Sequence, residues 1–311
     1  MSKAYKDEVI RTENLSKHFS EVKAVRNISI NVCKGEIYGF LGLNGAGKTT
    51  TIRMLLGMIR PTTGISYLKG EKVDPGNLNI WKSVGYLVEI PYSYPQLTVR
   101  ENLEIIRRLR FLKDKGSVDN IIEKLQLEPY QNRKAKNLSL GNNQRLGLAK
   151  ALIHNPDILI LDEPANGLDP AGIVDVREML RDLAINEGVT IFISSHILGE
   201  ISRIATHIGI IHEGRLIQEM ERDMLHQLRN RSLLIDVKDK TGAISALKEE
   251  GVNANINDDG LIEITALNAL LHPENINSNL VGAGFTPSML KVEEEDLESY
   301  FLRIIGKKGV I

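Results

Sequence analysis

Along residues 8–218, short runs rich in β-branched and apolar residues alternate with stretches whose apolar positions recur at helical spacing. That alternation predicts an α/β domain with a largely parallel sheet. The strand-like runs fall at 9–15, 28–32, 36–41, 83–87, 158–161, 190–194 and 207–212, with helices between them and the early strands expected as an antiparallel β subdomain at the edges of the sheet. Residues 99–151 break the rhythm. Val99-Arg100-Glu101-Asn102-Leu103 opens a helix, and apolar residues continue at helical spacing through Ile121, Ile122 and Leu125, which predicts a helical subdomain inserted in the sheet domain.

Near residue 219 the pattern changes again. A polar stretch at 222–231 leads into a strand (233–237), a helix (243–250), two strands around Asp258-Asp259-Gly260, another helix, a short strand and a last helix (297–304). The division is therefore 1–218 and 219–311, the second part a small α+β domain. Its Glu293-Glu294-Glu295-Asp296 run reads as the acidic start of the last helix, favoured by the helix dipole, in preference to a site for a basic partner. Dimerisation, a regulatory ligand site and a docking surface remain open for this domain, with dimerisation preferred.

Composition narrows the setting. The 311 residues carry 39 Lys plus Arg against 40 Asp plus Glu, so no global field draws the chain to nucleic acid or to anionic lipid. The single cysteine, Cys33, cannot close an internal disulfide, and the first ten residues hold no apolar run of the kind a secretory signal needs; both fit a reducing cytosol. No window approaches the roughly 20 apolar residues that span a bilayer, so a membrane role has to come through a partner.

Gly42-Leu43-Asn44-Gly45-Ala46-Gly47-Lys48-Thr49 follows the pattern G-x-x-x-x-G-K-[ST], directly after the strand 36–41 and before a helical stretch at 50–58. This is the context of a phosphate-binding loop. Glycines let the chain curl so that N–H groups from Asn44 through Thr50 converge on phosphate oxygens, and the helix aims its positive end at the same anion. Lys48 adds a full charge between the β- and γ-phosphates, and the Thr49 hydroxyl suits Mg²⁺, a hard cation. A P-loop NTPase (RecA-like) fold follows, but the loop alone leaves transporters, kinases, GTPases and motors open.

Ile158-Leu159-Ile160-Leu161-Asp162-Glu163 is an apolar strand ending in two acids, and ligands of open α/β sheets gather at the carboxyl ends of strands. Asp162 suits Mg²⁺ held through water; Glu163 suits polarising the water that attacks the γ-phosphate. Acids that merely end a buried strand are the plainer reading, and the phosphate loop weighs against it.

Leu138-Ser139-Leu140-Gly141-Asn142, followed by Gln144-Arg145-Leu146, resembles the signature of ABC transporter nucleotide-binding domains, which no other phosphate-loop class carries. Gly167-Leu168-Asp169-Pro170 resembles the D-loop of that family and Ser194-Ser195-His196 its switch-histidine loop, and the likeness runs along 8–218. It implies ATP with Mg²⁺, and a head-to-tail dimer with a second copy or a homologous subunit. In that dimer Ser139, Gly141 and Asp169 close over the ATP of the opposing subunit, and His196 contacts the γ-phosphate. A lone histidine after a strand is otherwise more often a capped loop residue. Aligning Leu15-Ser16-Lys17-His18-Phe19 implies Phe19 as the aromatic platform for adenine, ahead of His18, with Val25 beside it; a core aromatic is the alternative.

Two motifs depart from the family pattern. Gly85-Tyr86-Leu87-Val88-Glu89 places Glu89 where the family usually has the Q-loop glutamine, so a carboxylate takes the place of a neutral carbonyl near Mg²⁺. Leu140 and Asn142 replace the usual Gly and Gln of the signature. Together with the small second domain, these changes resemble the ATP-binding proteins of bacitracin-resistance and lantibiotic-immunity exporters. The resemblance implies a peripheral subunit at the cytoplasmic face of the membrane, engaging a separate membrane-spanning permease near residues 89–100, with no nucleic-acid partner. A ribosome-associated ABC protein would carry two phosphate loops, a chromosome-scaffold ATPase a long heptad insertion, and a small-molecule kinase no signature.

Overall fold

The computed structural model describes residues 8–89 and 91–306. The chain divides into two compact units between Arg222 and Asp223. That is four residues beyond the change in composition at 219, because the hairpin ending the first unit keeps its pairing as far as His207↔Glu221.

The first unit runs β1 (Glu8–Phe19), β2 (Val22–Ile28), β3 (Asn31–Cys33), β4 (Ile37–Leu41), α1 (Lys48–Leu55), β5 (Thr63–Leu68), β6 (Glu71–Lys72), α2 (Leu78–Lys82) and β7 (Val84–Leu87). The helices α3 (Val99–Leu109), α4 (Ser117–Lys124) and α5 (Leu140–Leu152) follow. The unit ends with β8 (Ile158–Asp162), α6 (Pro170–Asn186), β9 (Thr190–Ser195), α7 (Leu198–Ile204), β10 (His207–His212) and β11 (Arg215–Glu221).

A six-stranded sheet has the order β11-β10-β4-β9-β8-β7. Every pairing in it is parallel except β10 with β11. All residues of β4, β8 and β9 are buried, as expected of parallel strands covered on both faces, and this is why their sequences read as continuous apolar runs. The early strands do not edge this sheet, contrary to the expectation from sequence. They form a sheet of their own, β2-β1-β5-β6 with β3 on β1. The run at 28–32 is also split between β2 and β3, just beyond Asn27, which takes φ +58°. One core joins both sheets to α1, with Ile10, Leu15 and Ile28 meeting Ile52, Leu55, Phe40 and Phe192.

Between β7 and β8, α3 opens with a capping box: the Thr98 hydroxyl accepts from the Glu101 N–H and the Glu101 carboxylate from the Thr98 N–H. Buried Asn102 closes the preceding loop, accepting from the Tyr94 N–H at 2.8 Å and donating to the Thr98 carbonyl at 2.9 Å. α5 packs on β7 so tightly that a Cβ on Gly85 would lie 2.2 Å from the Ala151 carbonyl oxygen.

Just past α5, His154 places Nε2 3.1 Å from the Val84 carbonyl, so that nitrogen carries the proton and donates. Burial, followed by the Arg110 charge, pushes the His154 pKa down to about 4. An unfolded imidazole keeps its ordinary 6.5, so between these values the unfolded chain binds a proton that the folded chain refuses, and stability falls as pH drops from 6.5 to 4. His154→Gln is expected to make that acid loss shallower, as read from urea unfolding across the same window. An unchanged slope would mean that other groups carry it.

The second unit holds α8 (Leu225–Leu228), β12 (Arg231–Asp236), α9 (Lys240–Glu249), β13 (Asn255–Ile256), β14 (Ile262–Ile264), α10 (Leu267–Leu271), α11 (Pro273–Gly282), β15 (Met289–Glu294) and α12 (Leu297–Ile304). Its sheet is antiparallel, in the order β13-β14-β12-β15. Leu233, Ile235, Ile262 and Ile264 pack there against Leu247, Ile276 and Leu280. The acidic run does not sit wholly at a helix start: Glu293 and Glu294 belong to β15, and Asp296 alone caps α12, accepting from the Glu298 and Ser299 N–H groups. Among the described residues no helix is long and apolar enough to cross a membrane.

Candidate functional site

The phosphate loop springs from the end of β4 and passes into α1 at Lys48. Gly47 holds φ +111°, and a Cβ there would stand 2.6 Å from the Ala24 carbonyl oxygen, so no other residue fits. Residues Asn44, Gly45, Gly47, Lys48, Thr49 and Thr50 line an open pocket of about 480 Å³ together with Glu163, Val22, Ala24 and Arg26. Ala46 lies beneath it, its N–H donating to the Leu43 carbonyl at 3.1 Å.

Parallel pairing places the ends of β4, β8 and β9 side by side, and five expected site residues, Lys48, Thr49, Asp162, Glu163 and His196, meet there. The Thr49 hydroxyl donates to Asp162 Oδ2 at 2.6 Å, and the Ser194 hydroxyl donates to Asp162 Oδ1 at 2.5 Å. Buried Lys48 donates to the Gly42 carbonyl at 2.6 Å and sits 3.1 Å from Glu163 Oε1, close enough for an ion pair but outside hydrogen-bond geometry. The other carboxylate oxygen of Glu163 lies 2.8 Å from His196 Nδ1. Glu163 also holds φ +51°, a backbone region that is costly for a side chain of this kind. Its N–H donates to the Ser194 carbonyl and hydroxyl at 3.2 and 3.1 Å, which keeps the turn in place. A carboxylate fixed between a cation and an imidazole, next to a loop of backbone donors, can accept a proton from a water aligned on a phosphate.

Ser139, Gly141 and Asp169 line a different open pocket, of about 850 Å³. Ser139 caps α5, accepting from the Asn142 N–H, and Asp169 caps α6, accepting from the Gly172 N–H. Leu140 lies over Gly167, where a Cβ would meet its Cδ2 at 2.3 Å, so the residue after Ser139 packs on the turn that leads into α6. Buried Gln144 donates to the Pro164 carbonyl at 3.0 Å and so ties α5 to the segment after Glu163. Sequence reading gave neither Gln144 nor Ser194 a role of its own, because both act through contacts with residues distant in the chain.

Two expectations need correction. Val25 is fully buried in the core and is absent from the pocket lining, whereas Val22 and Ala24 face the pocket. Glu89 takes φ +58° and pairs at 2.5 Å with Arg53. It lines a third cavity with Tyr86, Tyr92, Arg110 and Lys150, and does not join Thr49 and Asp162. Phe19 is 47% exposed, which removes the core-aromatic alternative. It pairs across the β1–β2 hairpin with Val22 of the pocket, and the Lys17 ammonium lies 5.0 Å from its ring.

A glycine-rich loop entering a helix, beside an acid-tipped parallel strand, defines a phosphate-loop nucleotide-binding ATPase. The ABC transporter family profile matches residues 25–166. The bacitracin transport ATP-binding protein BcrA of Bacillus licheniformis is 40% identical over 300 residues, covering 96% of this chain and 97% of that one. The lantibiotic transport ATP-binding protein SrtF of Streptococcus pyogenes is 36% identical over 73% of this chain and 99% of its own length. A solved ATP-binding subunit of an ABC transporter superposes with a TM-score of 0.64 at 26% identity, over 70% of this chain and 92% of that chain. The chain belongs to the family of ABC transporter ATP-binding proteins; it binds and hydrolyses ATP as the ATP-binding subunit of such a transporter.

Proposed function

We propose that this subunit powers export of a peptide antibiotic or another amphipathic compound through a separate membrane-spanning permease, from the cytoplasmic face of the membrane. The observation that carries the mechanism is the separation of its half-sites. Lys48 and Glu163 line one pocket, and Ser139, Gly141 and Asp169 line another with no residue in common, so each is completed by a second subunit placed head to tail.

In this reading the antiparallel sheet and residues 99–151 work as subdomains on the parallel sheet, and Phe19 stacks on adenine. Lys48 and the loop N–H groups hold the β- and γ-phosphates, with Ser139 of the opposing subunit completing the donors. Thr49 and Asp162, a hydroxyl and a carboxylate already 2.6 Å apart, suit Mg²⁺, which keeps several waters and needs few protein oxygens. When bound there, Mg²⁺ would neutralise phosphate charge. Glu163 takes the proton of the attacking water while His196 holds the carboxylate in place and contacts the γ-phosphate. Glu89 reaches the metal only by leaving Arg53.

The permease docks at the cavity of about 520 Å³ lined by Arg53, Tyr86, Tyr92, Arg110 and Lys150, where movement of Glu89 passes to the helical segment. The cargo reading rests on the bacitracin and lantibiotic transport relatives. Deleting the gene in its host is expected to lower the inhibitory concentration of bacitracin or a lantibiotic several-fold, with restoration by the wild-type chain and not by Glu163→Gln. Unchanged sensitivity to both would overturn the cargo.

A further inference from the structure

The second unit ends its sheet on β15, which pairs on one side only, with β12, from Arg231↔Glu294 to Asp236↔Met289. The Glu295 N–H continues that register by donating to the Asn230 carbonyl at 2.8 Å. In an antiparallel ladder the backbone groups of alternate residues face the partner. Met289, Lys291 and Glu293 therefore bond β12, and Leu290 and Val292 direct N–H and C=O to the outer edge. Among the described residues no strand pairs with that edge.

Sheet edges are blunted against association by charged side chains, a proline or a bulge, but charges of opposite sign placed symmetrically about a residue repel a general partner and match an antiparallel copy of the same strand. β15 has no proline, its register with β12 is unbroken, and its two exposed charges are opposite. Lys291 and Glu293 flank Val292 symmetrically; their side chains are 59% and 46% exposed and pair at 2.8 Å, and Val292 itself is 41% exposed.

We propose that β15 pairs antiparallel with β15 of a second copy of this chain, about a two-fold axis at Val292. Val292 then faces the partner's Val292 as a hydrogen-bonded pair. Lys291 faces the partner's Glu293, and Glu293 the partner's Lys291, at the non-hydrogen-bonded positions where side chains come closest. The contact is isologous and closes on itself, so it yields a dimer and not a filament. It needs no nucleotide. On the head-to-tail reading above, it would keep the two ATP-binding units at high effective concentration between turnovers; the pairing itself does not depend on that reading.

The test is the mass of the full chain without nucleotide at micromolar concentration, by size exclusion with light scattering. A dimer is expected. Lys291→Glu alone and Glu293→Lys alone, each placing like charges across both ends of the pairing, should weaken it about tenfold, and the double exchange should restore it. Val292→Cys in a Cys33→Ser background should cross-link the dimer on oxidation, since a hydrogen-bonded pair sets the Cα atoms about 5.5 Å apart, within disulfide reach. A monomeric wild-type chain, or a dimer indifferent to single reversals and exchange alike, overturns the proposal. Ser139→Arg, which obstructs the half-site that one chain offers to the ATP of the other, should leave this nucleotide-free dimer intact, so the failure of either reading is told apart from the failure of the other.

Discussion

Glu163→Gln is expected to slow ATP hydrolysis by about 10²- to 10⁴-fold, the usual contribution of a positioned general base, while ATP still binds. The amide keeps the size and the turn of the carboxylate, and the Glu163 N–H still has the Ser194 carbonyl and hydroxyl to bond. It cannot take the proton of the attacking water. The substitution also removes a negative charge 3.1 Å from Lys48, a change that favours the bound γ-phosphate. With binding intact and hydrolysis halted, the ATP-closed dimer should persist, visible as a nucleotide-dependent rise in mass over that of the wild-type chain. Retention of the wild-type rate would remove Glu163 from the role of base.

The second large effect is one of complementation. Lys48→Ala and Ser139→Arg should each abolish turnover alone, the first by removing the buried ammonium from the loop and the second by filling the cap of α5. Mixed in equal amounts, the two inactive chains should regain about a quarter of wild-type activity, because half the head-to-tail dimers are mixed and each contains one undamaged site of two. If each ATP were served by one chain alone, no mixture would recover activity. The outcome separates a composite site from a self-contained one without any knowledge of the permease.

How far the site was legible in the sequence depended on whether its chemistry was local. The loop 42–49 needed only its glycines, lysine and threonine in order, and the acids at the end of β8 needed only the apolar run before them. His207–His212 and Leu297–Ile304 also fall where the pattern put them, since each is a single uninterrupted run. Val25 was misplaced because a hairpin with register shifts at Leu15/Lys17 and Lys17/His18 decides which side of β2 meets the pocket, and no residue of β2 records those shifts by itself. The early strands were misassigned for a related reason: an alternating run states that a strand exists, and only its partners state to which sheet it belongs.

The sequence by itself determined that this chain binds a nucleoside triphosphate; it also singled out two acids and a histidine as candidates to work on it and marked a change of pattern near residue 219. These are properties of short segments, set by residue type and spacing. Tertiary structure decided how Thr49, Asp162, Glu163 and His196 meet, at the start of α1 and at the ends of β8 and β9, which a parallel sheet brings side by side. It also decided that Ser139 and Asp169 open onto another pocket, that Glu89 turns to Arg53, and that β15 is left as an edge. Each of those outcomes depends on pairing and packing between residues far apart in the chain, where the free energy lies in the contact and in neither segment alone.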